Sequence, residues 1–271
     1  MTSREPGIGA VGPLPPRGDL RARVLAGERT VGAFVNLGSL TATELVARAG
    51  FDWVVLDLEH GMGTEADLHA QLLATQGTPT TAVVRVPSAE RLRVGRALDL
   101  GADGLMIPRL ETPEEVREAL SWMRYPPAGI RGVALGTRGG GYAAVAHADL
   151  AATLNDRVLG VFQVESAAAV EAADETAAIE GVDVLFVGPA DLSHSMGMPG
   201  RFDEPAFVAA LDRVVAAART HGKGSGILLG GPAGLPAALE QGFTFVGVGS
   251  DQSFLTSGAR SAVSAMHDAL G

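Results

Sequence analysis

The chain contains no cysteine, which removes disulfides, thiolate nucleophiles and zinc–thiolate sites from consideration. Lysine is almost as scarce: Lys223 is the only one, and every other basic side chain is an arginine or a histidine. Positive charge is outweighed, with a formal net charge of -10. That balance argues against nucleic acid or an anionic membrane as a partner, since both select basic surfaces. No apolar run approaches the ~20 residues of a membrane span. The opening MTSREPGIGAVGPLPPRGDL lacks the apolar core of a secretory signal, so a cytoplasmic protein is expected. Its glycines and prolines read as a flexible tail over residues 1–20, followed by one domain over 21–271.

What is present is a 271-residue chain with 46% hydrophobic and 19% charged residues, the composition of an ordinary globular protein. Short apolar runs recur at residues 31–37, 53–58, 81–86, 104–108, 158–164, 182–187, 226–229 and 243–248. They read as buried strands. Between them lie helical stretches with recognisable starts, the clearest at Thr112-Pro113-Glu114-Glu115, where a cap residue, a proline and two acids coincide. A last helix is expected over 257–270. The long glycine-rich segment 125–156 shows little periodicity, and a connection of that length inside a domain is usually functional. Eight strand–helix units without an interruption predict a single-domain α/β protein, a (β/α)8 TIM barrel. An open doubly wound sheet would want a glycine-rich phosphate turn after the first strand, and Leu37-Gly38-Ser39-Leu40 is a poor one.

A parallel barrel carries its active site at the C-terminal ends of its strands. The residues that follow the apolar runs there are Asp57, Glu59 and His60, then Arg85, Arg109, Gln163 and Glu165, and Asp191. Each has an ordinary structural explanation taken singly, as a helix cap or a backbone ligand. Their coincidence on one rim favours a site. Glu165 and Asp191, with no cysteine and no spaced histidine pair, suit a hard divalent ion with oxygen ligands. Magnesium or manganese fits better than structural zinc. Such an ion polarises a bound carbonyl. Arg85 is placed to hold a carboxylate or an enolate oxygen, and Asp57 is close enough in sequence to orient the His60 imidazole as a base. Metal, cation and base together describe enolate chemistry beside a carbonyl.

The segments FDWVVLDLEHG, YPPAGIRGV, VFQVES, GVDVLFVGPADLS and GKGSGILL, in this order, closely resemble the HpcH/HpaI family of metal-dependent 2-oxo-acid aldolases. The likeness runs from about Arg21 to the C-terminus. It implies that Glu165 and Asp191 bind the divalent metal (Mg2+ or Mn2+, with Co2+ a further candidate). It implies His60 as the base with Asp57 as its partner, and Arg85 on the pyruvyl oxygen. Gln163 matches a glutamine near the metal, and Gly188, Pro189 and Ala190 the backbone that receives the pyruvate carboxylate. The implied reaction is reversible retro-aldol cleavage of a 4-hydroxy-2-oxo acid to pyruvate and an aldehyde. The implied assembly is a homo-oligomer, a hexamer built as a trimer of dimers that exchange the C-terminal helix. The chain departs from the family pattern at Thr137 to Tyr142 (TRGGGY), where three glycines replace the usual middle residues. Arg138 and Tyr142 keep the basic and aromatic positions, and the resemblance implies that Arg138 helps to recognise the aldehyde half.

Rival mechanisms are separable. A Schiff-base aldolase needs a lysine on the catalytic rim, and Lys223 precedes the seventh strand, at the opposite end. A phosphate-gripping barrel isomerase or lyase would use Gly230-Gly231 and Gly247 to Ser250 without needing the two carboxylates. A related lyase acting on a CoA thioester would share the enolate chemistry.

Overall fold

The computed structural model describes residues 19–270. Eight parallel strands close into one barrel in sequence order: β1 (Thr30–Val35), β2 (Trp53–Asp57), β3 (Thr81–Arg85), β4 (Gly104–Ile107), β5 (Leu159–Val164), β6 (Val184–Val187), β7 (Gly224–Leu229) and β8 (Phe245–Ser250). The helices outside it are α1 (Leu20–Leu25), α2 (Leu40–Arg48), α3 (Glu65–Ala74), α4 (Arg91–Asp99), α5 (Pro113–Met123), α6 (Leu150–Leu154), α7 (Ala167–Glu171), α8 (Ala173–Ala177), α9 (Pro189–Ser195), α10 (Pro205–Thr220), α11 (Leu235–Gln241) and α12 (Asp251–Leu270). The expected (β/α)8 architecture is the observed one. Residues 1–18 of the expected tail lie outside the described residues.

The strands form where apolar, β-branched runs can be buried on both faces, which a closed barrel jacketed by helices provides. One set of side chains fills the interior: Phe34, Trp53, Val83, Met106, Val161, Phe186 and Phe245 are all at most 2% exposed. Trp53 stacks on Phe245 with ring centroids 4.0 Å apart. A Cβ on Gly32 would collide with the Trp53 ring, so the tryptophan fits only because its neighbour on β1 has no side chain. The alternate set packs outward against the helices, with Val54, Leu56, Val84 and Leu105 fully buried. Helix starts follow the local chemistry seen in the sequence. Thr112 and Glu115 form a reciprocal capping box ahead of α5, and the Ser166 hydroxyl accepts from the Ala169 amide ahead of α7.

The two ends of the barrel differ. Before β1, α1 closes the N-terminal end, inserting Leu20 and Val24 into the interior cluster. There the Arg21 Nε donates to Asp183 at 2.9 Å. The other end stays open. The segment from Arg124 to Val158 connects α5 to β5, so it returns along the closed end. Gly139 N–H donates to the Asp99 carbonyl at 3.0 Å, Arg131 pairs with Asp99, and Tyr125 packs with Leu150 and Leu154.

Some element boundaries depart from the sequence reading: β8 begins two residues after the start of the run at 243–248, and the helical stretch between β5 and β6 is broken at Ala172 into α7 and α8. The last helix starts at Asp251, six residues before the expected 257. Ser250 and Ser253 exchange backbone-to-hydroxyl bonds across its first turn, and the Asp251 carboxylate accepts the Asn36 and Leu37 amides at 2.9 and 3.1 Å. The local Ser250–Ser253 cap and the tertiary contact of Asp251 with the turn after β1 together set where α12 begins.

Candidate active site

The open end is organised first by strand register. Asp57 ends β2 directly opposite Arg85, which ends β3. The guanidinium grips the carboxylate through two bonds, Nε to Oδ1 at 2.9 Å and Nη2 to Oδ2 at 2.7 Å. Oδ1 also accepts the backbone N–H groups of Glu59 and His60 at 3.0 and 3.2 Å. The Asp57 carboxylate is therefore taken up by Arg85 and by the backbone of the turn. It fixes the His60 main chain, and no bond joins it to the imidazole, unlike the pairing expected from sequence proximity. The carboxylate beside the imidazole is Glu59, whose Oε2 lies 3.9 Å from His60 Nε2.

Glu59 is the hub of this side of the rim. Only 7% of its side chain is exposed, and it contacts Arg85 Nη1 at 3.1 Å and Arg109 Nε at 3.2 Å. The sequence reading put Glu59 and Arg109 on the rim without giving either a role. His60 by contrast is 53% exposed, free to meet a bound molecule. Arg85 lies over the Phe34 ring, 5.3 Å from its centroid, which desolvates one face of the cation.

On the far side, β4, β5 and β6 bring the metal-type carboxylates into place. Arg109 follows β4 in the left-handed region, φ 58°, an unusual conformation for a large side chain. This directs its N–H to Glu165 Oε1 at 2.7 Å. Gln163 Nε2 donates to Glu165 Oε2 at 3.0 Å. Burial pushes the Glu165 carboxyl above the usual range; the Arg109 amide opposes this, and the charges of Glu59 and Asp191 add to the rise. Asp191 stands exposed in the first turn of α9, just past β6. A Cβ on Gly188 would lie 3.2 Å from Glu165 Oε2, so the glycine leaves the carboxylate room.

These groups open on a cavity of about 800 Å³, of which Asn36, His60, Arg85, Gln163, Gly188 and Asp191 form the polar wall. Phe34, Phe186, Phe207 and Leu228 form much of the apolar wall. Two side-chain oxygens of the polar wall, Asn36 Oδ1 and Gln163 Oε1, are buried without a hydrogen-bond partner. Buried acceptors without donors mark a place where a bound molecule completes the bonding. Asn36 was not anticipated; its only sequence signal was a polar residue closing the first apolar run.

The donor set fits a hard divalent ion. Asp191 is near enough to Glu165 to disfavour the charge of Glu165, and the two carboxylates offer oxygen donors. No group of three or more His, Asp or Glu side chains suited to a metal occurs among the described residues, so water and substrate would complete the coordination.

Arg138 is not brought to this site. Its side chain lies against Gly101, ahead of β4, and faces the Gln76 amide after α3. Both belong to the closed end, because a helix-to-strand connection in a parallel barrel returns to the N-terminal ends of the strands. Lys223 precedes β7 and is likewise remote from the rim, as expected.

Comparison with known proteins agrees with this geometry. The family model described as HpcH/HpaI aldolase/citrate lyase matches residues 30–257. A 5-keto-4-deoxy-D-glucarate aldolase from Klebsiella pneumoniae is 39% identical over 231 residues, covering 85% of this chain and 90% of that protein. One of the same description from Salmonella paratyphi A is 40% identical over 231 residues, 85% of this chain and 90% of that protein. Among solved structures, an HpcH/HpaI aldolase/citrate lyase family protein from Burkholderia cenocepacia superposes with a TM-score of 0.88 at 37% identity, covering 92% of this chain and 99% of that one.

Proposed function

Because the chain belongs to the HpcH/HpaI aldolase/citrate lyase family and is a carbon–carbon lyase, we propose that it cleaves a 4-hydroxy-2-oxo acid reversibly to pyruvate, or a related 2-oxo acid, and an aldehyde. The observation that carries the reading is Gln163, whose buried Oε1 has no hydrogen-bond partner, which donates to Glu165 and lines one cavity together with His60, Arg85 and Asp191. The relatives named as 5-keto-4-deoxy-D-glucarate aldolases point to a hydroxylated sugar diacid as one candidate substrate.

Glu165 and Asp191 would hold Mg2+ or Mn2+, with Co2+ a further possibility. Bound there, the ion would supply electrophilic polarisation of the substrate's 2-oxo group. The chain's own residues supply the rest. The backbone of Gly188, Pro189 and Ala190 would receive the carboxylate of the 2-oxo acid. Arg85, locked in direction by Asp57, would donate to the 2-oxo oxygen as negative charge develops on it. His60 would take the proton of the 4-hydroxyl. The C3–C4 bond then breaks, the aldehyde leaves with the former hydroxyl oxygen as its carbonyl, and the bonding pair moves into the enolate of pyruvate. A proton delivered to C3 completes the product. In the direction of synthesis the same groups act in reverse.

The chain would assemble through α12. In the single chain this helix buries Asp251 alone, and it exposes Leu255, Val263, Met266 and Leu270. A helix with that much uncovered apolar surface seeks a partner, and exchange between subunits of a hexamer is the arrangement that the family implies.

The reaction is tested by stripping metal with a chelator and following pyruvate release from a 4-hydroxy-2-oxo acid as magnesium, manganese or cobalt is restored. Activity that returns with metal and is absent in Asp191→Asn is the expected result. Full activity in chelator would overturn the metal assignment.

A further inference from the structure

We propose that Arg109 determines specificity, its guanidinium receiving a carboxylate carried by the aldehyde half of the substrate. This rests on the aldolase reading and goes further by naming the residue that would read the second carboxylate of a diacid substrate.

The backbone of Arg109 has a clear task, since its left-handed conformation aims the amide at Glu165. That task needs only a main-chain N–H and would be met with less strain by glycine. The side chain therefore needs its own account. It is held by one edge: Nε faces Glu59 at 3.2 Å, while 71% of the side chain is exposed. Its two terminal nitrogens make no hydrogen bond with any described residue. A guanidinium fixed at Nε and open at its Nη1/Nη2 fork is arranged for a bidentate carboxylate.

A role as mere counter-ion to Glu59 is already filled, because Arg85 Nη1 lies 3.1 Å from the same carboxylate. The two arginines divide by exposure. Arg85 is 9% exposed and lines the cavity, whereas Arg109, held at Nε by Glu59, is 71% exposed and would meet the part of the substrate beyond the broken bond.

The experiment compares two 4-hydroxy-2-oxo acids of equal length, one ending in a carboxylate and the other in a primary amide, at fixed ionic strength with metal restored. The enzymes are the unaltered protein, Arg109→Met, which keeps the amide, the stem and the backbone conformation, and Arg109→Gly, which keeps the amide and relieves the backbone. The unaltered enzyme is expected to favour the carboxylate by about tenfold or more in kcat/KM, expressed in KM. Both variants are expected to lose most of that discrimination. Exchange of the pyruvate methyl protons in deuterated water, which needs no aldehyde, reads the enolate half-reaction separately. Exchange without any preference for the carboxylate, or a preference kept in both variants, would overturn the role of Arg109 alone. Absence of both exchange and cleavage with every metal would overturn the aldolase reading, and the inference with it.

Discussion

Asp57 and Arg85 form a buried two-bond ion pair at 2.7 and 2.9 Å, and the imidazole of His60 is no part of it. The pair exists because the ends of β2 and β3 are in register. Its consequence is a guanidinium with one orientation, on the wall of the cavity.

Replacing Asp57 therefore acts on stability and on substrate binding together. Asp57→Asn leaves a buried arginine short of its partner, and the loss of folding stability is expected to be about 3 kcal/mol. KM for the 2-oxo acid should rise as Arg85 loses its alignment. Urea unfolding and steady-state kinetics check both. Unchanged stability with a displaced pH–rate profile would mean that Asp57 acts on the imidazole after all.

Glu165 sets a pH dependence whose sign follows from its raised carboxyl pKa, caused chiefly by burial. The folded state holds this proton more tightly than the unfolded state, so the group's contribution to stability is full below the unfolded value. It is lost as pH rises through the folded one. Metal-free protein is thus expected to lose this contribution over the interval from the unfolded value, about pH 4.3, up to the raised folded one, and Glu165→Gln to abolish that part of the slope. Metal binding needs the ionised carboxylate, so affinity should rise over the same interval and fall by about a hundredfold or more in the variant. Chelator-treated unfolding curves and metal titrations at several pH values make the comparison.

Gly188 tests whether the carboxylate must be free to sit where it does. Its φ of -95° is open to any residue, so Gly188→Ala carries no backbone strain. The new methyl would stand 3.2 Å from Glu165 Oε2 and 3.5 Å from Gln163 Nε2. Metal affinity is expected to drop about tenfold with less than about 1 kcal/mol of stability lost. Calorimetric titration of manganese would measure it, and an unaltered affinity would show that the carboxylate yields without cost.

The apolar face of α12 should control assembly. Leu255→Asp combined with Met266→Asp places charge on side chains 66% and 56% exposed in the single chain, where it costs the isolated fold little. If a second copy covers this helix, light scattering will report a smaller particle. An unchanged particle mass would remove α12 from the interface.

Much of the fold was legible before any coordinate. Eight short apolar runs separated by helix-length stretches admit few architectures, and in a closed parallel barrel every strand delivers its C-terminal neighbour to one rim. That is why Asp57, His60, Arg85, Gln163 and Asp191 could be gathered from the sequence. Arg138 came from the resemblance and not from the strand ends. Within one chain it lies on a helix-to-strand connection, against Gly101 and Gln76, and the order of elements already implied that end. The start of α12 was missed because the groups satisfied by Asp251 lie 215 and 214 positions away, on Asn36 and Leu37.

By itself, then, the sequence determined the element order, the barrel and the rim, because these follow from hydrophobic period and chain direction, which are local properties. Tertiary structure alone decided who pairs with whom. Asp57 meets Arg85 because two strands align, and Glu59 gathers two arginines from other strands. Arg109 adopts a left-handed backbone because Glu165, across the rim, takes its amide. Partnership across a sheet depends on register and side-chain direction, and linear spacing encodes neither.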